Sequence, residues 1–298
     1  MNIFINVVLP VLLIFLSGYG LQKWKKLDIR SISTLSLYVA TPAMVFRTFY
    51  ETDLNVQYMN MVVFSFILLF LLIIINKLYS RLMKTSDSVE SGLILSTVFM
   101  NSGNYGAPII LFAYGEMGFH YSVSLLVLHA IMMNFFGVYY AARGQAGIKT
   151  AIKSVLEMPP TYAVIIALLF QWFHIKLPET ATSAIDLVAD VTIPVIMIVL
   201  GMQLAEIKLK QFKWDKITYG VVVRLFVSPL LAAGIVYFFN MDPLLEKVLI
   251  VSAAMPSAAT TTLYALQFDA EPELVSSITF ITTIVSIATI TPLLYILG

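Results

Sequence analysis

The stretch Met100–Ile110, "MNSGNYGAPII", places two asparagines, two glycines and a proline inside an otherwise apolar segment. The glycines, Gly103 and Gly106, permit backbone conformations that other residues rarely adopt. Pro108 has no N–H to donate, and its ring clashes with the carbonyl group four residues earlier, at Asn104. The stretch therefore predicts a helix that is interrupted between Asn101 and Pro108.

The chain around this stretch is strongly apolar. Of its 298 residues, 59% are hydrophobic and 12% are charged, whereas about a quarter are charged in an average soluble domain. The mean hydropathy is +0.90, and apolar runs of about 20 residues recur throughout. There is no cysteine, which excludes disulfides and thiolate metal sites. We therefore expect an all-α polytopic membrane protein, whose first span is retained because it lacks a basic leader and a cleavage pattern.

Hydropathy and helix breakers predict ten transmembrane helices. The expected bounds are 3–22, 31–50, 56–79, 88–116, 119–142, 158–174, 180–205, 215–239, 244–267 and 273–297. Fourteen of the 18 Lys and Arg residues follow the first, third, fifth and seventh spans, which places those connections in the cytoplasm. We therefore expect a protein of the cell membrane, of the bacterial plasma membrane type, with both termini outside the cytoplasm.

The prolines indicate an internal repeat. Pro10, Pro42 and Pro108 recur as Pro160, Pro194 and Pro256, at offsets of 150, 152 and 148 residues. Halves 1–142 and 158–298 would each hold five spans, and because five is odd their orientations would be opposite. An inverted repeat with broken helices at matching positions is typical of secondary transporters, whose substrate site lies near the middle of the membrane.

The ninth predicted span carries a second interruption, "AAMPSAATTT" at residues 253–262. Pro256 would break the helix, and Ser257, Thr260 and Thr261 supply hydroxyl groups. Where the fourth and ninth spans cross, two positive helix N-termini and several neutral donors would converge, which favours a carboxylate over a cation. The alternative is a pair of kinks whose hydroxyl groups satisfy their own backbone.

Ionisable residues inside predicted spans are candidates for charge recognition or ion coupling. Arg224 could counter an anionic substrate or pair with a carboxylate. Asp186 and Asp190 lie on one helix face and could relay protons or hold a cation, although a solvated outer vestibule is the simpler interpretation. His129 could titrate or, like Asn134, form an ordinary hydrogen bond between helices.

No enzyme signature occurs in the chain. The H-E-x-x-H, Walker A, nucleophile-elbow and paired-cysteine patterns are all missing. We expect a protein that is not an enzyme, with no cofactor, no bound metal and no nucleic-acid partner. Without an ATP-binding loop, transport would be driven by a gradient or facilitated.

The pattern N-x-G-N-x-G-x-P at Asn101–Pro108 resembles the fourth-span crossover of the auxin efflux carrier family, whose bacterial members include malonate and malate permeases. The resemblance extends over essentially the whole chain. Further similar segments are "TPAMVF" (41–46), "DVTIPVIMIVLGMQL" (190–204), "VRLFVSPLL" (223–231) and the ninth and tenth spans (253–286).

The resemblance implies a ten-span fold, shared with bile acid/sodium symporters, in which the fourth and ninth spans cross. It also implies a scaffold of spans 1, 2, 6 and 7 that often forms a homodimer, and a transport domain of spans 3–5 and 8–10 that moves as an elevator. Asn101 matches the asparagine that contacts the carboxylate in the plant exporters. Tyr162 keeps the end of their N-P-N-T-Y motif, but both asparagines of that motif are replaced here, which argues against auxin itself.

Together these observations predict a secondary transporter of a small organic anion, a mono- or dicarboxylate. The expected substrate contacts are Asn101, Gly103, Asn104, Gly106, Pro108, Pro256, Ser257, Thr260, Thr261 and Tyr162. Whether a proton or a sodium ion is co-transported stays open. The alternatives are a sodium-coupled symporter similar to those of bile acids and a membrane receptor that does not transport.

Overall fold

The computed structural model describes residues 3–52, 55–142, 153, 155–207 and 213–298. Several basic residues of the predicted cytoplasmic loops lie outside these ranges, namely Arg143, Lys149, Lys208 and Lys210. Within the described ranges the chain is helical and contains no strand, apart from one isolated β-bridge.

The helices that lie wholly within the described residues are numbered here in chain order. They are α1 (Phe4–Lys25), α2 (Ile29–Glu51), α3 (Val56–Met83), α4 (Asp87–Val98), α5 (Ser102–Ala141), α6 (Pro159–Trp172), α7 (Glu179–Glu206), α8 (Trp214–Tyr237), α9 (Pro243–Ala253), α10 (Thr260–Phe268) and α11 (Pro272–Leu297). Among them, α1, α2, α3, α5, α7, α8 and α11 are long and apolar enough to cross a membrane. The protein is therefore a multi-pass membrane protein with seven such helices in its described part.

The longest helix, α5, is divided at Gly115. Its 40 residues would extend about 60 Å as one straight helix, twice the thickness of the hydrocarbon core. Gly115 has φ +67° and ψ −166°, a backbone conformation that only glycine adopts without strain. The chain therefore changes direction at Gly115, close to the boundary expected between the fourth and fifth spans.

Five-residue π-helical turns occur inside several long helices, and most of them precede a proline. Four such turns, Phe4–Val8, Ser36–Ala40, Ser102–Gly106 and Val223–Val227, are each followed two positions later by a proline, namely Pro10, Pro42, Pro108 and Pro229. A proline ring clashes with the carbonyl group four residues before it, which is the third residue of each turn. The wider π-turn moves this carbonyl group away, so the helix continues past the proline.

Helices α1 and α7 pack against each other through glycines. A Cβ atom on Gly18 would lie 2.2 Å from the carbonyl oxygen of Ile198, and one on Gly201 would lie 2.0 Å from that of Phe15. Neither position can hold a side chain while the backbones stay in contact. Small residues of this kind drive close helix packing inside membranes, where burial of apolar surface gives little advantage.

Side-chain caps fix the starts of helices at the membrane surface. Asn55 accepts the N–H of Gln57 before α3, and Asp242 accepts the N–H groups that open α9. Asp28 caps α2 and also accepts a hydrogen bond from the hydroxyl group of Ser31, which holds the pKa of Asp28 below its ordinary value. These caps satisfy amide groups that have no partner within a helix.

Two groups of helices can be followed through their contacts, and α5 of the second group also packs on α1, α2 and α7 of the first. In the first group, α1 packs on α7, and α2 packs on both α6 and α7. In the second, α3 packs on α4 and α8, α9 on α5 and α8, and α11 on α4 and α8. A cavity lies between the two groups and takes lining residues from both.

Candidate functional site

The two predicted interruptions meet in the structure. Helix α4 ends at Val98 and α5 begins at Ser102, while α9 ends at Ala253 and α10 begins at Thr260. An antiparallel β-bridge joins Met100 to Ser257 between these helix ends. The break in the fourth predicted span is shorter than expected from the sequence, because the π-turn at Ser102–Gly106 restores the helix before Pro108.

Two backbone hydrogen bonds hold the bridge. The amide of Asn101 donates to the carbonyl oxygen of Pro256 at 2.8 Å, and the amide of Ala258 donates to that of Phe99 at 3.0 Å. Each interruption thus satisfies polar backbone groups of the other. This pairing is required, because hydrocarbon offers no alternative partner for an exposed backbone amide.

The starts of α5 and α10 leave amide groups without partners. The amide of Gly106 bonds to the carbonyl oxygen of Asn101 at 3.0 Å. The amides of Ser102, Gly103 and Asn104 precede it in the first turn of α5, where a helix offers them no carbonyl partner of its own. In α10 the amide of Thr261 bonds to the carbonyl oxygen of Ala258 at 3.2 Å. Unpaired amides at a helix start, together with the helix dipole, attract anions.

Arg224 of α8 lies at the opposite ends of the broken helices. Its side chain is completely buried and donates to the carbonyl oxygen atoms of Thr97 at 2.7 Å and Val98 at 3.3 Å, at the end of α4. It also donates to the carbonyl oxygen of Ala253 at the end of α9, and Ser228 donates to the same oxygen at 2.8 Å. Arg224 therefore neutralises two helix C-termini, and no carboxylate of the described residues pairs with it.

A cavity of about 290 Å³ lies at the helix starts. Residues 101–104, before and in α5, and residues 258–260, before and in α10, form part of its wall. Thr41 of α2 and Ile196 of α7 also line it. No Asp, Glu, Lys or Arg side chain of the described residues lines it. Its surroundings are thus neutral side chains and the positive ends of two helices.

Asn101 has an unpaired polar group at this cavity. The side chain is only 6% exposed, and its Nδ2 atom has no hydrogen-bond partner among the described residues. Buried amide nitrogens are almost always hydrogen-bonded, so this Nδ2 atom is available to donate to a ligand or a water molecule. His129 also lines the cavity, and its Nδ1 atom is likewise buried and unpaired.

The structure divides the residues expected at the site into two sets. The cavity is lined by Asn101, Gly103, Asn104, Thr260 and His129. Gly106, Pro108, Pro256, Ser257, Thr261, Tyr162, Arg224, Asp186 and Asp190 do not line it. Some of these shape the backbone around the cavity, whereas Tyr162 is half exposed on the outside of α6.

Ser257 and Thr261 form hydrogen bonds that hold the ninth-span interruption, and neither residue lines the cavity. The amide of Ser257 donates to Thr282 Oγ1 at 3.2 Å, and Thr279 Oγ1 donates to Ser257 Oγ at 3.1 Å. Thr261 Oγ1 donates to the carbonyl oxygen of Ala258 at 2.7 Å. The Thr261 hydroxyl group thus bonds to its own backbone, whereas Ser257 is held by two threonines of α11.

Gly106 allows the two interruptions to approach each other. A Cβ atom on it would lie 3.2 Å from the Met255 side chain and 3.4 Å from the carbonyl oxygen of Asn101. A side chain at this position would require the Met255 side chain to shift by a few tenths of an ångström. Gly106 thus acts through the backbone rather than by contact with the cavity.

The cavity also contains a polar pair, of which the sequence analysis considered Asn134 as a hydrogen-bonding residue between helices and missed Tyr264. Tyr264 of α10 donates its hydroxyl group to Asn134 Oδ1 at 2.8 Å, and Asn134 Nδ2 donates to the carbonyl oxygen of Ala130 at 2.9 Å. Both side chains line the cavity. Tyr264 lies four residues after Thr260, one helical turn along α10, and this spacing was the only sequence signal for it.

Asp186 and Asp190 lie away from the cavity in an ion pair with Arg47 of α2. The distance from Arg47 Nη1 is 2.7 Å to Asp190 and 3.8 Å to Asp186. The Asp190 side chain is 68% exposed, so the pair lies at the surface of the protein. Among the described residues, no three His, Asp or Glu side chains come together in a group that could hold a metal ion.

The sequence matches the profile of a family described as "Membrane transport protein" over residues 3–151 and 145–295. The chain belongs to this family. It is the family of the auxin efflux carriers, so the resemblance inferred from the crossover motif is confirmed. The protein is accordingly a membrane transporter.

Relatives in three organisms illustrate the range of this family. An uncharacterized transporter of Methanocaldococcus jannaschii is 28% identical over 96% of both chains. A Rhizobium meliloti protein named "Putative malonate transporter" is 24% identical over 89% of this chain and 86% of its own length. Auxin efflux carrier component 6 of Arabidopsis thaliana is 27% identical over 49% of this chain and 26% of its own length.

Proposed function

We propose that this transporter is a secondary carrier of a small organic anion, which binds in the cavity at the starts of α5 and α10. The observation that carries the proposal is the set of unpaired donors at this cavity. They are the first amides of both helices and the buried Nδ2 atom of Asn101. A carboxylate accepts several hydrogen bonds at once and would satisfy these donors together.

The composition of the cavity supports an anion rather than a metal cation. Cations such as sodium or calcium bind to carboxylates and carbonyl oxygens, and no acidic side chain of the described residues lines the cavity. The volume of about 290 Å³ lies at the lower limit of pockets for drug-sized ligands, which span about 300–1,000 Å³. A small acid suits this space better than a bile acid.

The proposal includes ten membrane crossings. The described helices give this number when α4 and the part of α5 before Gly115 form one crossing and the rest of α5 forms the next. Helices α9 and α10 similarly form one crossing together. Helix α6, of 14 residues, forms a short crossing by itself. A substrate would then reach the interruptions near the middle of the membrane.

Helix packing supports an inverted repeat with halves 1–142 and 158–298. The contact of α1 with α7 corresponds to that of α6 with α2, and the contact of α3 with α4 corresponds to that of α8 with α9. The contact of α4 with α11 likewise corresponds to that of α9 with α5. Equivalent helices of the two halves thus have equivalent neighbours.

The position of the cavity supports an elevator movement. Its wall combines Thr41, Met44 and Ile196 of the scaffold (α1, α2, α6 and α7) with the interruptions of the transport domain (α3–α5 and α8–α11). A substrate bound to the transport domain would cross the membrane as this domain slides along the scaffold. A homodimer formed by the scaffolds of two protomers would keep the scaffold in place while the transport domain moves.

The distribution of basic residues supports termini outside the cytoplasm. At one end of the helices, Lys23 donates to the carbonyl oxygen of Ala205 and Lys213 pairs with Glu271. At the other end, Arg47 pairs with Asp190. The more basic end faces the cytoplasm under the positive-inside rule.

Flux measurements on Asn101→Ala and Asn104→Ala in proteoliposomes test the site. Hydrogen bonds to charged groups contribute about 1.5–3 kcal/mol, so loss of the Asn101 donor should lower flux of the transported acid about 10-fold or more. The labelled panel would include malate, malonate and indole-acetate under imposed proton or sodium gradients. Asn240→Ala, at an exposed position outside the cavity, is the matched control. Unchanged flux in both cavity variants would contradict the site.

A further inference from the structure

The charges around the interruptions can be counted from the structure. Four helix ends meet there, and each carries about half an elementary charge, positive at an N-terminus and negative at a C-terminus. Arg224 donates to the C-terminal carbonyl groups of both α4 and α9, so its full positive charge offsets their two negative ends. The two N-terminal ends, of α5 and α10, are left with a sum of about one positive charge.

This remaining charge matches one carboxylate. A second carboxylate in the same cavity would find no cation, because no Lys or Arg side chain of the described residues lines it. Removing water from an uncompensated charge is costly, whereas a neutral group loses much less when it is hydrogen-bonded. The cavity is therefore built for a molecule with a single negative charge.

The rest of the cavity offers neutral hydrogen-bonding groups. The Asn134 amide uses one N–H on Ala130 and its oxygen on Tyr264, which leaves its second N–H free. The Tyr264 oxygen keeps its acceptor capacity, and His129 Nδ1 is unpaired. A mixed set of donors and acceptors suits an uncharged polar group such as a hydroxyl, carbonyl or amide.

We infer that the substrate is a monoanionic organic acid with an uncharged polar group beyond its carboxylate, and that Asn134, Tyr264 and His129 contact this group. The inference rests on the proposed function and restricts its substrates to a smaller class of organic acids. It predicts that this protein transports monoanions rather than dianions, although one of its relatives is named "Putative malonate transporter". Asn134 and Tyr264 thereby become residues that determine specificity.

Three acids of the same shape test the inference. Malonate is a dianion at mildly alkaline pH, its monoamide malonamate is a polar monoanion, and isovalerate is an apolar monoanion. Flux of each labelled acid would be measured in proteoliposomes with the membrane potential clamped at zero by valinomycin and equal potassium. We expect malonamate flux to exceed malonate flux at least about 10-fold and to exceed isovalerate flux.

The outcomes distinguish this inference from the proposed function. Malonate flux equal to or above malonamate flux would overturn the single-charge inference while the proposed function stands. Flux of none of the three acids, or malonamate flux unchanged by Asn101→Ala, would overturn the proposed function itself.

Two variants test the polar contacts. Tyr264→Phe should lower the ratio of malonamate flux to isovalerate flux about fivefold, whereas Tyr237→Phe, at a side chain that is 84% exposed, should leave it unchanged. Asn134→Lys would add the missing cation and should raise the ratio of malonate flux to malonamate flux at least about 10-fold. Unaltered ratios in both folded variants would exclude Asn134 and Tyr264 as specificity residues.

Discussion

The two halves of the molecule meet in two different ways. At the contact of α1 with α7, intact helices approach until glycines lie against the opposite backbone. At the interruptions, the helices end and short extended segments pair through a β-bridge. In the first contact both helices continue past the point of contact, whereas in the second several amides are left free. The comparison shows that small residues let intact helices pack closely, whereas interrupted backbone leaves hydrogen-bond donors that a ligand can use.

The largest expected effect is at the glycine contact. Gly201→Leu would place a side chain where a Cβ atom already lies 2.0 Å from the carbonyl oxygen of Phe15, so α1 and α7 would have to separate. Overpacking commonly costs about 1–3 kcal/mol, and a clash with backbone exceeds that range. We expect loss of folded protein in detergent, measured by size-exclusion chromatography. Gly20→Leu, where a Cβ atom would meet nothing within 4 Å, is the control, and equal yields would contradict the packing.

The next largest effect is at the C-terminal ends of the broken helices. Arg224→Met leaves the carbonyl groups of Thr97, Val98 and Ala253 buried without this donor. Unsatisfied buried acceptors cost about 1–3 kcal/mol each, so we expect a lower thermal unfolding midpoint together with loss of flux. Arg81→Met, at an exposed position on α3, should change neither. An Arg224→Met protein as stable as wild type would show that water or other groups satisfy these carbonyls.

Much of the fold was readable from the residues that break helices. Pro108 with its glycines and Pro256 predicted two interruptions, and the structure joins them directly. The position of the turn near residue 115 followed from hydropathy within a few residues. Such features are local, because proline and glycine limit the backbone wherever they occur.

The partners of polar side chains could not be read from the sequence. Arg224 was expected to meet an anion or a carboxylate, and the structure shows it at helix C-termini instead. The pair of Tyr264 and Asn134 joins residues that are 130 positions apart. Contacts of this kind depend on how helices are arranged in three dimensions, and one sequence carries no periodic signal for them.

A smaller effect is expected behind the ninth-span interruption. Thr282→Val keeps the shape of the side chain but removes the acceptor for the amide of Ser257, which is completely buried. An unsatisfied buried amide should lower the free energy of unfolding by about 1–2 kcal/mol and decrease flux moderately. Thr289→Val, where the hydroxyl group bonds only to its own helix, is the matched control. Equal unfolding midpoints for the two variants would show that Thr282 does not support the interruption.

The smallest effect is expected at the surface pair that joins α2 to α7. Asp190→Asn removes the closer partner of Arg47, but the aspartate is 68% exposed and Asp186 remains at 3.8 Å. Exposed ion pairs contribute about 0–1 kcal/mol, and salt screens them, so stability and flux should both change little. A loss of flux above about 10-fold, with unchanged stability, would instead make Asp190 a site of ion coupling. That result would place part of the transport chemistry at the contact of α2 with α7, because an aspartate that contributes little to stability would then be needed for the ion it binds.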